Sequence, residues 1–229
     1  MTRADSRAHI LQVAGPIFAK DGYQSTTIRR ICEAAGVNVA AVNYYFGDKE
    51  RLYIEAVKHA RDLLEERWPL PKWTESTPAD ERLRGLIHTF IRRLISPAQG
   101  EWQMKLILRE IIEPSGAARE LVQEGFAPFF NVLTELIQQL LPCGASDPQI
   151  HQIGFSVIGQ CVFYAAHQQV VDLMIEEVER AEHFDADSLA EHVWRFTKSA
   201  LAEYSRTDSI VNRAKADNAD QLLKQEHQA

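Results

Sequence analysis

The chain has 229 residues, 45% of them apolar and 25% charged, enough material for a packed body and unlike a disordered or fibrous polymer. No run approaches the ~20 consecutive apolar residues of a membrane-spanning helix, and the polar start Met1–Arg7 leads into an amphipathic segment rather than a secretory leader, so a cytoplasmic protein with no membrane partner is expected. The net charge of −7 is uneven: residues 1–50 hold six Lys/Arg against five Asp/Glu (+1), the rest 19 against 27 (−8), so only the N-terminal part suits a phosphate backbone.

Helical periodicity runs through nearly the whole chain and no segment alternates every second residue, so the expected fold class is all-α. In the first helix Ile10, Val13, Ala14, Ile17 and Phe18 form one apolar stripe, and Asp21-Gly22 ends it. Gly15-Pro16 inside that helix predicts a kink, or a helix in two short pieces, because proline deletes a backbone hydrogen bond and glycine is a poor helix former. Ser25-Thr26-Thr27 supplies hydroxyl caps for a second, short helix to Glu33 or Ala34. Gly36 makes a turn, Asn38 caps a third helix to about Tyr45, and Asp48 caps a fourth to about Trp68.

After a Pro-rich loop over 69–78, a fifth helix carries Leu83, Leu86, Ile87, Phe90, Ile91 and Leu94 on one face. Ser96-Pro97 and Gly100 separate it from a sixth, Glu101 to Glu113. Pro114-Ser115-Gly116 precedes a long seventh helix that reaches Leu141 and stops at Pro142-Cys143-Gly144. Asp147-Pro148 opens an eighth, over about 148–170, with Ile150, Ile153, Val157, Cys161 and Ala165 inward. The last runs over about 187–204, and residues 206–229 form a polar tail expected to be mobile. Cys32, Cys143 and Cys161 are odd in number and far apart, so buried reduced thiols are expected rather than disulfides or a zinc site.

Residues 25–52 carry the clearest motif: two short helices joined by a brief turn containing Gly, the helix-turn-helix arrangement. Ile28, Ile31, Ala35, Val37, Val42 and Phe46 fall on its inner side, leaving Val39, Ala40, Ala41, Asn43 and Tyr44 outward. Small residues let a helix sink into a major groove, alanine methyls suit thymine methyls, and Asn43 can pair with adenine. Tyr44, Tyr45 and Lys49 place hydroxyls and an ammonium where flanking phosphates run.

Thr26-Thr27, Ala35-Gly36-Val37, Tyr44-Tyr45-Phe46 and Lys49-Glu50-Arg51-Leu52, preceded by Phe18-Ala19-Lys20-Asp21-Gly22-Tyr23, closely resemble the N-terminal domain of TetR-family regulators. Arg109 to Pro114 and Ser156 to Tyr164 look like the CecR-related subgroup. The resemblance implies a DNA-binding regulator with a three-helix domain over 1–50 and a helical effector-binding and dimerisation domain over 51–205. It implies DNA contacts from Thr27 and Arg29, from Asn38, Val39, Ala40, Ala41, Asn43 and Tyr44, and from Tyr45 and Lys49. Asn43 stands where many members have tyrosine, so base preference does not carry over.

The resemblance further implies a homodimer paired through the last two long helices, where Gly154, Phe155, Gly159, Val162, Trp194 and Leu201 are the expected contacts. It implies a pocket for a small, mostly apolar effector, with Trp102, Met104, Leu108, Arg109, Phe126, Phe129, Phe130, Phe163 and His167 as its wall. The expected behaviour is a repressor released from a palindromic operator. An activator or architectural DNA binder without effector shares the motif. An all-helical enzyme lacks any recognisable nucleophile–base or metal constellation here, and no cofactor or metal is expected.

Overall fold

A computed structural model describes residues 3–95, 101–115, 118–141, 145–204 and 206. The breaks expected at Ser96-Pro97 and Gly100, at Gly116 and at Pro142-Cys143-Gly144, and the tail beyond 206, lie outside the described residues. The described residues are helical with no strand: α1 Arg3–Ser25, α2 Ile28–Ala35, α3 Val39–Phe46, α4 Lys49–Arg67, α5 Ala79–Ile95, α6 Glu101–Ile112, α7 Ala118–Leu121, a π-helical turn Val122–Phe126, α8 Ala127–Leu140, α9 Asp147–Ala166, α10 Gln168–Met174, α11 Glu177–His183 and α12 over 186–204. No helix among them is long and apolar enough to cross a membrane.

Two cores organise these helices. The first gathers Ile10, Phe18, Ile31, Val42, Leu52 and Tyr53 from α1–α4, and takes Leu106 and Ile107 from α6. The second is built from α5, α8, α9 and α12 around Leu86, Ile91, Leu136, Ile153, Cys161 and Val193. Met104 of α6 packs against both. The division expected at residue 50 is therefore not a break in packing, since α4 and part of α6 complete the N-terminal core.

α1 passes through Pro16 without leaving the helical region. The non-helical backbone of α1 lies instead at Gly22, with φ 80° and ψ 169°. Glycine tolerates that angle where an L side chain is strained, and the Gly22 carbonyl accepts the buried Thr26 hydroxyl at 2.7 Å. Gly15 has a packing role: a Cβ there would sit 2.1 Å from Cζ3 of Trp102, so the indole of α6 lies directly on the α1 backbone. Alanine at position 15 should gain ~1 kcal/mol of helix propensity and lose ~1–3 kcal/mol to overpacking. Gly15→Ala is thus expected to lower stability by up to about 2 kcal/mol in urea titrations. In a Trp102→Leu background the same change should become neutral or stabilising.

The seventh predicted helix is continuous in course but interrupted in hydrogen bonding. Pro128 lacks the N–H that would reach the Glu124 carbonyl, the chain widens into a π turn there, and Arg61 Nη1 donates to that carbonyl at 2.9 Å. Lys58 reinforces the junction through Glu120 and Glu124, at 2.9 and 2.5 Å. The eighth predicted helix ends earlier than expected, at Ala166, because His167 leaves the helical region with φ −119° and ψ 29°.

Candidate nucleic-acid interface and cleft

Each short helix of the N-terminal unit is started by its own local chemistry. Thr27 Oγ1 accepts the Arg30 N–H at 3.2 Å, and Asn38 Oδ1 accepts the Ala41 N–H at 2.8 Å. Asp48 Oδ1 accepts the Arg51 N–H at 2.8 Å and so starts α4. Between α2 and α3, Gly36 takes a left-handed φ of 65°, which closes α2 and turns the chain. Ile31, Ala35, Val42 and Phe46 are buried beneath the unit, with Ile28 and Val37 half-buried beside them.

This underside fixes which face of α3 is outward. Val39, Ala40, Asn43 and Tyr44 are exposed, at i, i+1, i+4 and i+5, while Ala41 and Tyr45 lie on its flank. Tyr44 is the most protruding large side chain of that face, 63% exposed, and meets Tyr45 edge-on at 5.1 Å between ring centres. Thr27, Arg29 and Asn38 are exposed as well. Thr27 and Asn38 serve as helix caps, and Arg29 pairs with Glu33 at 2.9 Å. An exposed pair of this kind contributes only ~0.5 kcal/mol, so Arg29 is readily released to a stronger anion. Lys49 is positioned: its Nζ lies 4.4 Å from the Tyr23 ring centre and donates to the Gln24 carbonyl at 3.3 Å.

Where α4, α5 and α6 approach the α9–α10 junction, a cleft of about 710 Å³ opens to one side. Of the expected wall, Met104, Leu108 and Arg109 line it. The aromatic residues of that expectation pack elsewhere. Trp102 lies against Gly15, and Phe126 packs on the N-terminal core. Phe129 stacks on Phe90 at 4.5 Å and Phe130 on Phe155 at 4.7 Å. Phe163 is exposed and stacks on His167 at 5.0 Å. Cleft-lining residues not among those expected include Arg67, Trp68, Arg93 and Lys105. A legible signal existed: Lys105 and Arg109 are one turn apart on α6, in a part of the chain where acids outnumber bases.

The expected dimer contacts divide in two. Trp194 and Leu201 are 6% and 5% exposed and belong to the C-terminal core, so subunit packing claims them. Gly154 is buried too, admitting the Phe130 ring of α8: a Cβ there would lie 3.0 Å from it. Val162 is half-buried on the same core. Phe155 is 64% exposed and Gly159 faces open space; with Phe163 they form a stripe along α9. Phe196, 58% exposed, stands on α12.

Two short helices closing at a left-handed glycine, with a small-residue outer face and a helical body behind them, define a helix-turn-helix DNA-binding regulator. Comparison with known proteins agrees. Residues 10–56 match the family described as bacterial regulatory proteins, tetR family, and residues 79–201 match the C-terminal domain of the HTH-type transcriptional dual regulator CecR. The chain belongs to the TetR family, in its CecR-like branch. It is 27% identical over 175 residues to the dual regulator CecR of Shigella flexneri, covering 72% of this chain and 78% of that one. In fold it is similar to a TetR-like regulator from Rhodococcus sp. RHA1, with TM-score 0.64, 17% identity and 88% and 98% of the two chains covered. It is also similar to AibR in complex with isovaleryl coenzyme A and operator DNA, with TM-score 0.59, 19% identity and 82% and 96% covered. The sequence relatives it matches are transcriptional regulators.

Proposed function

We propose that the chain is a homodimeric transcriptional repressor that holds a palindromic operator through two copies of α3 and leaves it when a small molecule occupies the cleft. The observation that carries this reading is the outward face Val39, Ala40, Asn43 and Tyr44, shallow at its N-terminal end and supported from below by Val42 and Phe46. In this reading Ala40, Ala41 and Asn43 meet base edges, while Thr27, Arg29, Asn38, Tyr44, Tyr45 and Lys49 meet the backbone on either side.

One such unit contacts too little DNA for tight specific binding, so two are needed, ~34–36 Å apart or a multiple of it. The stripe Phe155, Gly159 and Phe163 on α9, with Phe196 on α12, supplies an apolar face for pairing two copies. AibR, described with both a small molecule and operator DNA, is a precedent within this fold for one chain holding both. Release requires that the small molecule bind the non-DNA-binding conformation more tightly, since equal affinity for both shifts nothing.

The test is a gel shift with the DNA upstream of the protein's own gene, at several salt concentrations, alongside light scattering. A dimer that retards this fragment, with affinity falling steeply as salt rises, is the expected result. A monomer in solution, or a dimer indifferent to that DNA at low salt, would overturn the proposal.

A further inference from the structure

The cleft wall is charged against the trend of its surroundings. Residues 51–229 carry 19 Lys/Arg and 27 Asp/Glu. Yet four cations, Arg67, Arg93, Lys105 and Arg109, line this cleft with one carboxylate, Glu113. They come from three different helices, α4, α5 and α6, so the cluster is a product of folding rather than a basic run in the sequence.

Arg93 is well enclosed, its side chain 12% exposed. Its Nε donates to the Trp68 carbonyl at 2.9 Å, and Nη1 lies 3.5 Å from Glu65, a half-exposed and distant partner. Burial pushes this guanidinium below its usual range, opposed by Glu65. A desolvated cation of this kind gains most from a further negative oxygen. Lys105 and Arg109 stand one turn apart on α6, and the Arg109 guanidinium lies over Gly22 of α1, leaving Lys105 as the α6 ammonium of this wall. The Trp68 indole Nε1 is a buried donor with no acceptor among the described residues. Leu64, Leu94 and Leu108 add apolar wall beside these charges.

We infer that the cleft takes an amphipathic organic anion, its carboxylate or phosphate headgroup against Arg67, Arg93 and Lys105 and a short apolar body against Leu64, Leu94 and Leu108. This revises the mostly apolar effector expected from the sequence. It rests on the repressor reading for its regulatory meaning, whereas binding itself is testable without DNA. At about 710 Å³ the space falls within the ~300–1,000 Å³ usual for small-molecule sites.

The experiment uses the full chain and four probes of equal length: octanoate, octyl phosphate, 1-octanol and octylammonium, below their aggregation limits and at constant ionic strength. At least one anion should raise Tm by about 3 °C or more, with the alcohol and the ammonium ion giving little. The stronger of the two anions identifies the headgroup. Arg67→Gln/Lys105→Gln changes two exposed positions, so the fold should persist while anion affinity drops about tenfold or more. Absence of a shift with both anions, equal stabilisation by alcohol or ammonium, or unchanged affinity in the double variant would each overturn the assignment. The same probes added to the gel shift separate the two readings. Anion binding without release of DNA defeats the effector-released repressor and leaves the anion site standing. Release by 1-octanol alone defeats the anion site and leaves the repressor.

Discussion

Replacing Ala40 with glutamate should weaken operator binding by about a hundredfold or more at physiological salt. Ala40 is exposed at the second position of α3, on the face proposed to enter the groove. A carboxylate there would meet the negative potential of the groove, and the longer side chain would hold the helix off the base edges. The same substitution is favourable for folding. An acid in the first turn of a helix gains ~0.3–1 kcal/mol from the helix dipole, and no packed neighbour is displaced at an exposed position. The two effects have opposite signs, which makes the test clean: thermal stability unchanged or slightly raised, DNA binding lost. Fluorescence anisotropy with the retarded fragment, and circular dichroism on the same samples, would measure both. Wild-type affinity in Ala40→Glu would remove α3 from the interface.

The DNA-reading unit is legible in the sequence because its determinants are local. Thr27, Asn38 and Asp48 each cap the helix that begins immediately after them, and Gly36 takes the left-handed angle that its position between two short helices demands. Short-range chemistry of this kind survives whatever tertiary structure surrounds it. Pro16 is the complementary case. Its local penalty is real, but α1 is held against α4 and α6, with the Trp102 ring on Gly15, and packing outweighs the lost hydrogen bond. The cleft is the least legible part. An aromatic on an amphipathic helix announces burial without saying against what. Phe129 and Phe130 find their partners within α5, α8 and α9, and Trp102 within the N-terminal core. The helices α10 and α11 escape a periodicity reading because Leu173, Met174 and Val178 are exposed and give no inward stripe. Cations on three separate helices converge only once those helices are placed, so their common wall has no signature in any one segment.

Removal of the Glu110 side chain should lower stability by about 3 kcal/mol. Glu110 is 3% exposed and accepts three hydrogen bonds, from the Tyr53 hydroxyl at 2.8 Å and from the Ser115 N–H and Oγ at 3.0 Å each. Burial first, and then the bond to Glu110, push the Tyr53 phenol well above its usual range, so the phenol remains the donor. Tyr53 is itself buried, between Phe18 and Tyr23 at 5.0 Å each. In Glu110→Ala its hydroxyl loses its acceptor, at ~1–3 kcal/mol, and the emptied volume adds roughly 1 kcal/mol. Ser115 is partly exposed and can turn to water. On this accounting, Glu110→Leu combined with Tyr53→Phe should recover to within about 1 kcal/mol of the parent, because both halves of the bond are then apolar. Urea unfolding of the parent, the two single variants and the double variant gives the cycle, and additive losses would show that the hydrogen bond is not what Glu110 contributes. The position of this bond gives it a second consequence. Arg109, the preceding residue, lines the cleft and lays its guanidinium over Gly22, where a Cβ would lie 2.2 Å from Nη1. Neighbouring residues of α6 therefore reach the cleft, the bend of α1 and the Tyr53–Tyr23 pair that adjoins Lys49. A ligand that draws Arg109 toward the cleft pulls on the same helix that holds Tyr53. The Glu110→Leu/Tyr53→Phe variant should accordingly keep operator affinity but release DNA less completely when the anion binds, an effect readable in the same gel shift.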